Sequence, residues 1–265
     1  MGLLNSRLAR LRWLFKWSRH FIIKKVQALQ YLWGEYFGID TFERFAIVGH
    51  ARTGTNYLAS GLRSSNSIRV YDEIFAAHNR EIGKDYEKIF SVLFRKQLRS
   101  IKVVGFKLFY YHLSEDEWEK FLRNDDIKII HITRKNPLRT IVSLDIAFMT
   151  GRWHTSLLHS KAKNKKIVID VNTLLNRLEQ IQVYEETTRT RFKDKAILEV
   201  IYEELVKDPV NELKRIGAFL NITDINPNKI ILKKQNPEKL NELIINYHEV
   251  AQLLADTKYA NLLVD

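Results

Sequence analysis

The chain has 265 residues, 45% of them hydrophobic and 28% charged, which suffices for a sizeable core. Ten Gly, four Pro and 11% aromatics exclude a collagen-like, low-complexity or disordered chain. The absence of Cys excludes disulfides, thiolate zinc sites and a cysteine nucleophile, and fits a cytoplasmic, reducing setting. A net charge of +12 calls for an anionic partner: nucleic acid, a membrane surface or a polyanionic small ligand.

Residues 1–40 read as a basic amphipathic helical leader. Leu3, Leu4, Leu8, Leu11, Leu14 and Phe15 recur at helical spacing between Arg7, Arg10, Arg12, Lys16, Arg19, Lys24 and Lys25. Such a helix either packs on the domain's own core or makes peripheral contact with an anionic membrane. No stretch reaches the roughly 18 uncharged apolar residues of a spanning helix.

From residue 41 to 265 the pattern is strand alternating with helix. A β-type run at Arg44–Gly49 meets the polar turn His50–Gly54 and then Tyr57, Leu58 and Leu62 at helical spacing. Strands are expected at Ile68–Tyr71, Ile101–Phe106, Ile127–Ile132 and Ala196–Ile201, with helices over 84–98, 114–122, from Pro137, over 170–192 and from Pro209. Ser114 and Glu117 form a capping-box pattern, and the tail from Pro237 reads as helical. These elements predict one α/β domain with a mainly parallel central sheet flanked by helices. The run from Ser160 to Lys166 reads as a solvated basic loop.

Gly49-His50-Ala51-Arg52-Thr53-Gly54-Thr55-Asn56 has the two-glycine spacing of a P-loop, between a strand and a helix. Such a loop aims backbone N–H groups and a helix N-terminus at phosphate. Thr55 stands where ATP and GTP enzymes carry Lys, and Asn56 where they carry the magnesium-binding hydroxyl. Arg52 is the cation inside the loop. The loop therefore suits an anion carried without metal, and no metal site is expected.

At Arg52-Thr53-Gly54-Thr55-Asn56-Tyr57 the chain resembles the sulfotransferases that use 3′-phosphoadenosine 5′-phosphosulfate (PAPS), in their bacterial carbohydrate form. His131 to Ser143 is similar to the segment with which that family grips the 3′-phosphate. The family spacing of eight counts back from Ser143 to Lys135, whereas Arg134 lies one residue earlier, so either cation fits. Tyr202-Glu203-Glu204-Leu205 resembles a further family segment, taken as architectural. Lys233-Lys234-Gln235 stands where the family closes a basic loop over the cofactor.

The resemblance implies sulfuryl transfer to a hydroxyl, with Arg52 to Tyr57 on the 5′-phosphosulfate; with no helix-turn-helix, zinc or RNA-recognition signature in the sequence, no nucleic acid is expected as partner. Lys107, in Gly105-Phe106-Lys107-Leu108, is a second candidate cation at the reacting centre. Tyr71-Asp72-Glu73-Ile74-Phe75 resembles the segment that carries a Glu base in carbohydrate sulfotransferases. Glu73 is chosen over His50, His112 and His131, and only one of Asp72 and Glu73 can face a cleft from an extended segment. The expected acceptor is a carbohydrate or glycolipid. The alternatives are a P-loop kinase-like enzyme and a non-catalytic basic module.

Overall fold

A computed structural model describes residues 38–77, 79–80, 85–153, 165–229 and 236–263. Most of the leader, most of the 160–166 run and Lys233, Lys234 and Gln235 lie outside the described residues.

Five short runs rich in β-branched and aromatic residues form β1 (Glu43–Gly49), β2 (Ile68–Tyr71), β3 (Val103–Phe109), β4 (Ile127–Thr133) and β5 (Ile197–Ile201). All four pairings are parallel, in the order β2-β3-β1-β4-β5. The strands of a parallel sheet are covered on both faces, and β3 accordingly is buried along its whole length. Because successive side chains alternate, Ala46, Val48, Phe106 and Leu108 join one core and Phe45, Ile47, Ile130 and Ile132 the other.

The first core is closed by α2 (Tyr86–Leu93) and α3 (Glu115–Leu122), the second by α1 (Thr55–Leu62) and α7 (Pro209–Phe219). A third cluster joins α4 (Pro137–Thr150), α5 (Val171–Arg191), α8 (Leu240–Leu243) and α9 (Tyr247–Leu254). None of the helices among the described residues is long and apolar enough to cross a membrane.

Local chemistry sets the helix ends. Ser114 and Glu117 form the capping box, and Pro209 opens α7 behind the Asp208 cap. The expected helix over 84–98 shrinks to α2, whose first turn is capped by Asp85. The tail from Pro237 is not continuous. Asn246 bonds both the N–H and the carbonyl of Ile169, at 2.9 and 2.8 Å, and Ile244 bridges Ile167, so backbone groups a helix would use are spent elsewhere. A short helix not anticipated, α6 (Tyr202–Lys207), follows β5 directly.

One polar network sits inside the sheet. His131 on β4 is fully buried, with its ring nitrogens 2.8 Å from Tyr110 Oη and 2.8 Å from Glu199 Oε1 of β5. Glu185 on α5 lies beside it. Burial pushes the Glu185 carboxyl up to about 7, with the Glu199 charge adding to the rise and Arg189 opposing it.

Two outcomes follow. Gly105 is the register partner of Phe45, and a Cβ there would lie 2.3 Å from that ring. Gly105→Ala should cost about 1–3 kcal/mol in urea unfolding, as overpacking does. The raised Glu185 pKa means that the folded state holds this proton more tightly than the unfolded chain does. Its contribution is complete below pH about 4.5 and is lost as pH rises through about 7. Glu185→Gln should therefore match wild type at pH 4 and exceed it at pH 8 by roughly 1–3 kcal/mol in the same measurement.

Candidate functional site

The loop between β1 and α1 is built from hydrogen bonds and two left-handed residues. Thr53 donates through Oγ1 to the His50 carbonyl at 2.8 Å. Arg52 has φ 73° and Gly54 φ 93°. Gly54 is required twice over. Its φ disfavours any side chain, and a Cβ would meet the Tyr202 ring at 2.2 Å. The first residue of α6 therefore packs on the loop, and the N-terminus of α1 opens directly beyond it.

Above the carboxyl edge of the strands lies a cleft of about 1110 Å³, where open parallel sheets bind ligands. The sheet order divides it. On the β4–β5 side stand Arg134, Arg139, Ser143, Tyr202 and Asn236. On the β2–β3 side stand Glu73, Ala76, Ala77, Phe109, Tyr111 and His112. Arg52, Gly54, Thr55, Asn56 and Tyr57 lie between the two.

The cationic end is tightly interlocked. Arg52 donates from Nε to Ser143 Oγ at 3.0 Å and from Nη1 to the Trp153 carbonyl at 2.8 Å. Asn236 also donates to Ser143 Oγ, at 3.3 Å. Arg134 reaches the carbonyls of Arg52 and Arg139 at 3.5 and 3.4 Å, and its guanidinium lies 5.1 Å from the centre of the Tyr202 ring. Its Nε is buried without a hydrogen bond, 3.4 Å from Glu203 Oε1. Burial lowers the pKa of both Arg52 and Arg134, and the Arg134 charge lowers Arg52 further. Clustered, desolvated guanidinium groups of this kind gain most from an anion placed among them.

The two candidate cations of the 131–143 segment part company. Arg134 lines the cleft, whereas Lys135 does not: its ammonium pairs with Glu204 at 2.8 Å on the outer surface. Just past the end of β4, consecutive side chains still point to opposite sides. Of the two cations that the sequence left open for a 3′-phosphate, Arg134 alone is brought into the cleft. The side chain nine residues before Ser143 enters the cleft, and the one eight residues before it does not.

At the other end Lys107, fully buried on β3, meets three partners. Its Nζ is 3.0 Å from Glu73 Oε1 and 3.0 Å from Asp72 Oδ1, and it donates to Asn56 Oδ1. Lys107 does not line the cleft; its ammonium lies behind Glu73 and Asn56. Of the two neighbouring carboxylates, only Glu73 lines the cleft, yet both reach the same ammonium, because the chain turns at Asp72, whose carbonyl accepts from Ile74 N at 2.7 Å. Burial pushes Asp72 up, but the Lys107 and Arg63 charges outweigh it and hold the carboxyl below its ordinary value.

The histidines divide as well. His50 is buried among Tyr110, Tyr111 and Tyr184, bonds the Ala51 carbonyl at 2.8 Å, and has its pKa lowered by burial. His112 lines the cleft and accepts from the Phe109 N–H at 3.1 Å. His131 belongs to the interior network and is outside the cleft. Among the described residues, no cluster of His, Asp and Glu is built to hold a metal ion.

Sequence reading missed Tyr202, Arg139, Asn236 and Tyr111. Arg139 and Tyr202 lay inside segments already singled out, but their direction depends on helix phase and on the packing of α6 against Gly54. Tyr111 follows the end of β3 with no motif of its own.

Residues 124–226, from just before β4 to just beyond α7, match the model of the sulfotransferase family. The phosphate loop, Glu73 and Lys107 precede that match. No relative among curated proteins matches the chain. Among solved structures the chain is similar to a sulfotransferase from Alicyclobacillus acidocaldarius, at 18% identity and TM-score 0.47, over 84% of this chain and 95% of that one. It is also similar to a mouse sulfotransferase complexed with PAP, at 22% identity and TM-score 0.40, over 72% of this chain and 64% of that one.

Proposed function

We propose, from the match of residues 124–226 to the sulfotransferase family, that the chain moves a sulfuryl group from PAPS to a hydroxyl of a carbohydrate or glycolipid acceptor. The observation that carries the proposal is the convergence of Arg52, Arg134, Arg139 and Ser143 on one end of the cleft, beside a phosphate-type loop lacking Lys. A kinase reading finds no support at Thr55 and Asn56, since the Asn56 side chain is engaged by Lys107.

In this reading Arg52 and the amides of Thr53 to Tyr57 hold the 5′-phosphosulfate, and Arg134 and Ser143 hold the 3′-phosphate. Lys233, Lys234 and Gln235 close over the nucleotide, a role resting on sequence alone. Glu73 takes the proton of the acceptor hydroxyl while its oxygen attacks sulfur. The bond from sulfur to the phosphate oxygen breaks, and 3′,5′-ADP leaves with its new charge held by Arg52 and the loop. Lys107 acts from behind, fixing Glu73 and Asn56. A cytoplasmic location, with residues 1–40 at an anionic membrane surface, belongs to the same reading and rests on composition.

Without added metal, 3′,5′-ADP at about 100 times its Kd should stabilise the protein by about 2.7 kcal/mol in thermal unfolding, well beyond 5′-AMP at equal concentration. Arg134→Ala and Ser143→Ala should narrow that difference. Equal stabilisation of wild type by the two nucleotides overturns the donor assignment. Glu73→Gln keeps the side chain's shape and removes the base. It should leave 3′,5′-ADP binding intact while kcat falls roughly 10²–10⁴-fold. Near-normal turnover in Glu73→Gln, with His112→Ala inactive, would move the base to the histidine.

A further inference from the structure

The acceptor end of the cleft has a chemistry of its own. Among the described residues on the β2–β3 side, the lining includes Glu73, two small residues, Ala76 and Ala77, and the rings of His50, Phe109, Tyr111 and His112. Tyr111 is 49% exposed, yet it is braced by His112 at 90° and His50 at 73°, both edge-to-face. It is a fixed flat surface presented to the cleft, not a ring folded into the core. Among the described residues, the cations near this end are committed elsewhere, and Arg52, between the two ends, is held by Ser143 and the Trp153 carbonyl. Lys107 is fully buried on its carboxylates, and Arg80 is held by Glu117 at 2.7 Å and by the carbonyls of Phe75 and His112, at 2.9 Å each.

Resting on the sulfuryl-transfer reading, we infer that the acceptor is an uncharged molecule presenting a ring face to Tyr111 and a hydroxyl to Glu73, and that anionic acceptors are rejected. The sheet order separates the two chemistries. Positive charge gathers where β4 and β5 end, for the donor. Where β2 and β3 end, the described lining offers aromatic faces and a carboxylate. An acceptor carboxylate or sulfate would lose its hydration against rings and lie near Glu73, while Arg52, the described lining cation whose charge reaches Glu73, is already held by Ser143 and the Trp153 carbonyl, and like-charge juxtaposition discriminates strongly. A neutral hexose unit and an aromatic alcohol share the required chemistry.

The test measures transfer of labelled sulfuryl from PAPS to matched pairs: a neutral hexoside against the corresponding uronide, and a phenol against the same phenol bearing a carboxylate. The neutral member of at least one pair should have a kcat/KM about tenfold or more above its anionic partner. The pair that reacts distinguishes sugar from aromatic alcohol. Tyr111→Ala should raise the acceptor KM about tenfold while leaving the KM for PAPS within about twofold. Ala77→Arg, at an exposed position on the rim, should shift preference toward the anionic partner by about fivefold or more. Equal or better use of the anionic members overturns the inference. So does stabilisation by 3′,5′-ADP with no neutral member sulfated, which leaves the donor assignment standing. Absence of any 3′,5′-ADP binding instead removes the sulfuryl-transfer reading on which the inference stands.

Discussion

A lysine with no exposed surface has to find its partners inside the protein, and Lys107 finds them on two different segments of the chain. Stripping an ammonium of water costs several kcal/mol unless partners replace the lost hydration. Asp72 and Glu73 supply charge from the end of β2, and Asn56 supplies an oxygen from the first turn of α1. The requirement draws the floor of the cleft together. It fixes Glu73, the carboxylate among the described residues that lines the cleft, beside the phosphate-type loop by tying it to a lysine on a strand of the central sheet.

The opposite end answers a different demand. Arg52 and Arg134 are largely withdrawn from water with like charges nearby, among the carbonyls, Ser143, Tyr202 and Glu203. One end of the cleft is thus closed on itself by opposite charges, and the other holds an excess of one sign. Parallel strands make this polarity legible in the topology, because every strand delivers its following loop to the same edge.

Much of this was readable in the residues. The five strands, the capping box at Ser114 and the Pro209 start follow from local pattern, and the structure departs from them mostly by a residue or two at the ends. The phosphate-type loop was legible because its glycine spacing and its strand-to-helix setting are both short-range. What escaped depends on long-range contacts. The break in the C-terminal tail comes from Asn246 clasping Ile169, 77 positions earlier in the chain. The choice between Arg134 and Lys135 was ambiguous as spacing and becomes clear only as direction. Tyr202 was seen as a motif but not as a wall of the cleft, since nothing local announces that its ring rests on Gly54.

Arg52 carries a last consequence. Its backbone sits at φ 73°, a conformation that glycine adopts freely and a side chain adopts at a cost of order 1–3 kcal/mol. A glycine at this position would relax the turn but forfeit the guanidinium and its hydrogen bonds. The loop instead keeps a strained residue whose guanidinium joins Ser143 and the Trp153 carbonyl across the cleft. The strain at Arg52 is thus the local cost of placing a cation inside this turn, where it ties the loop after β1 to α4.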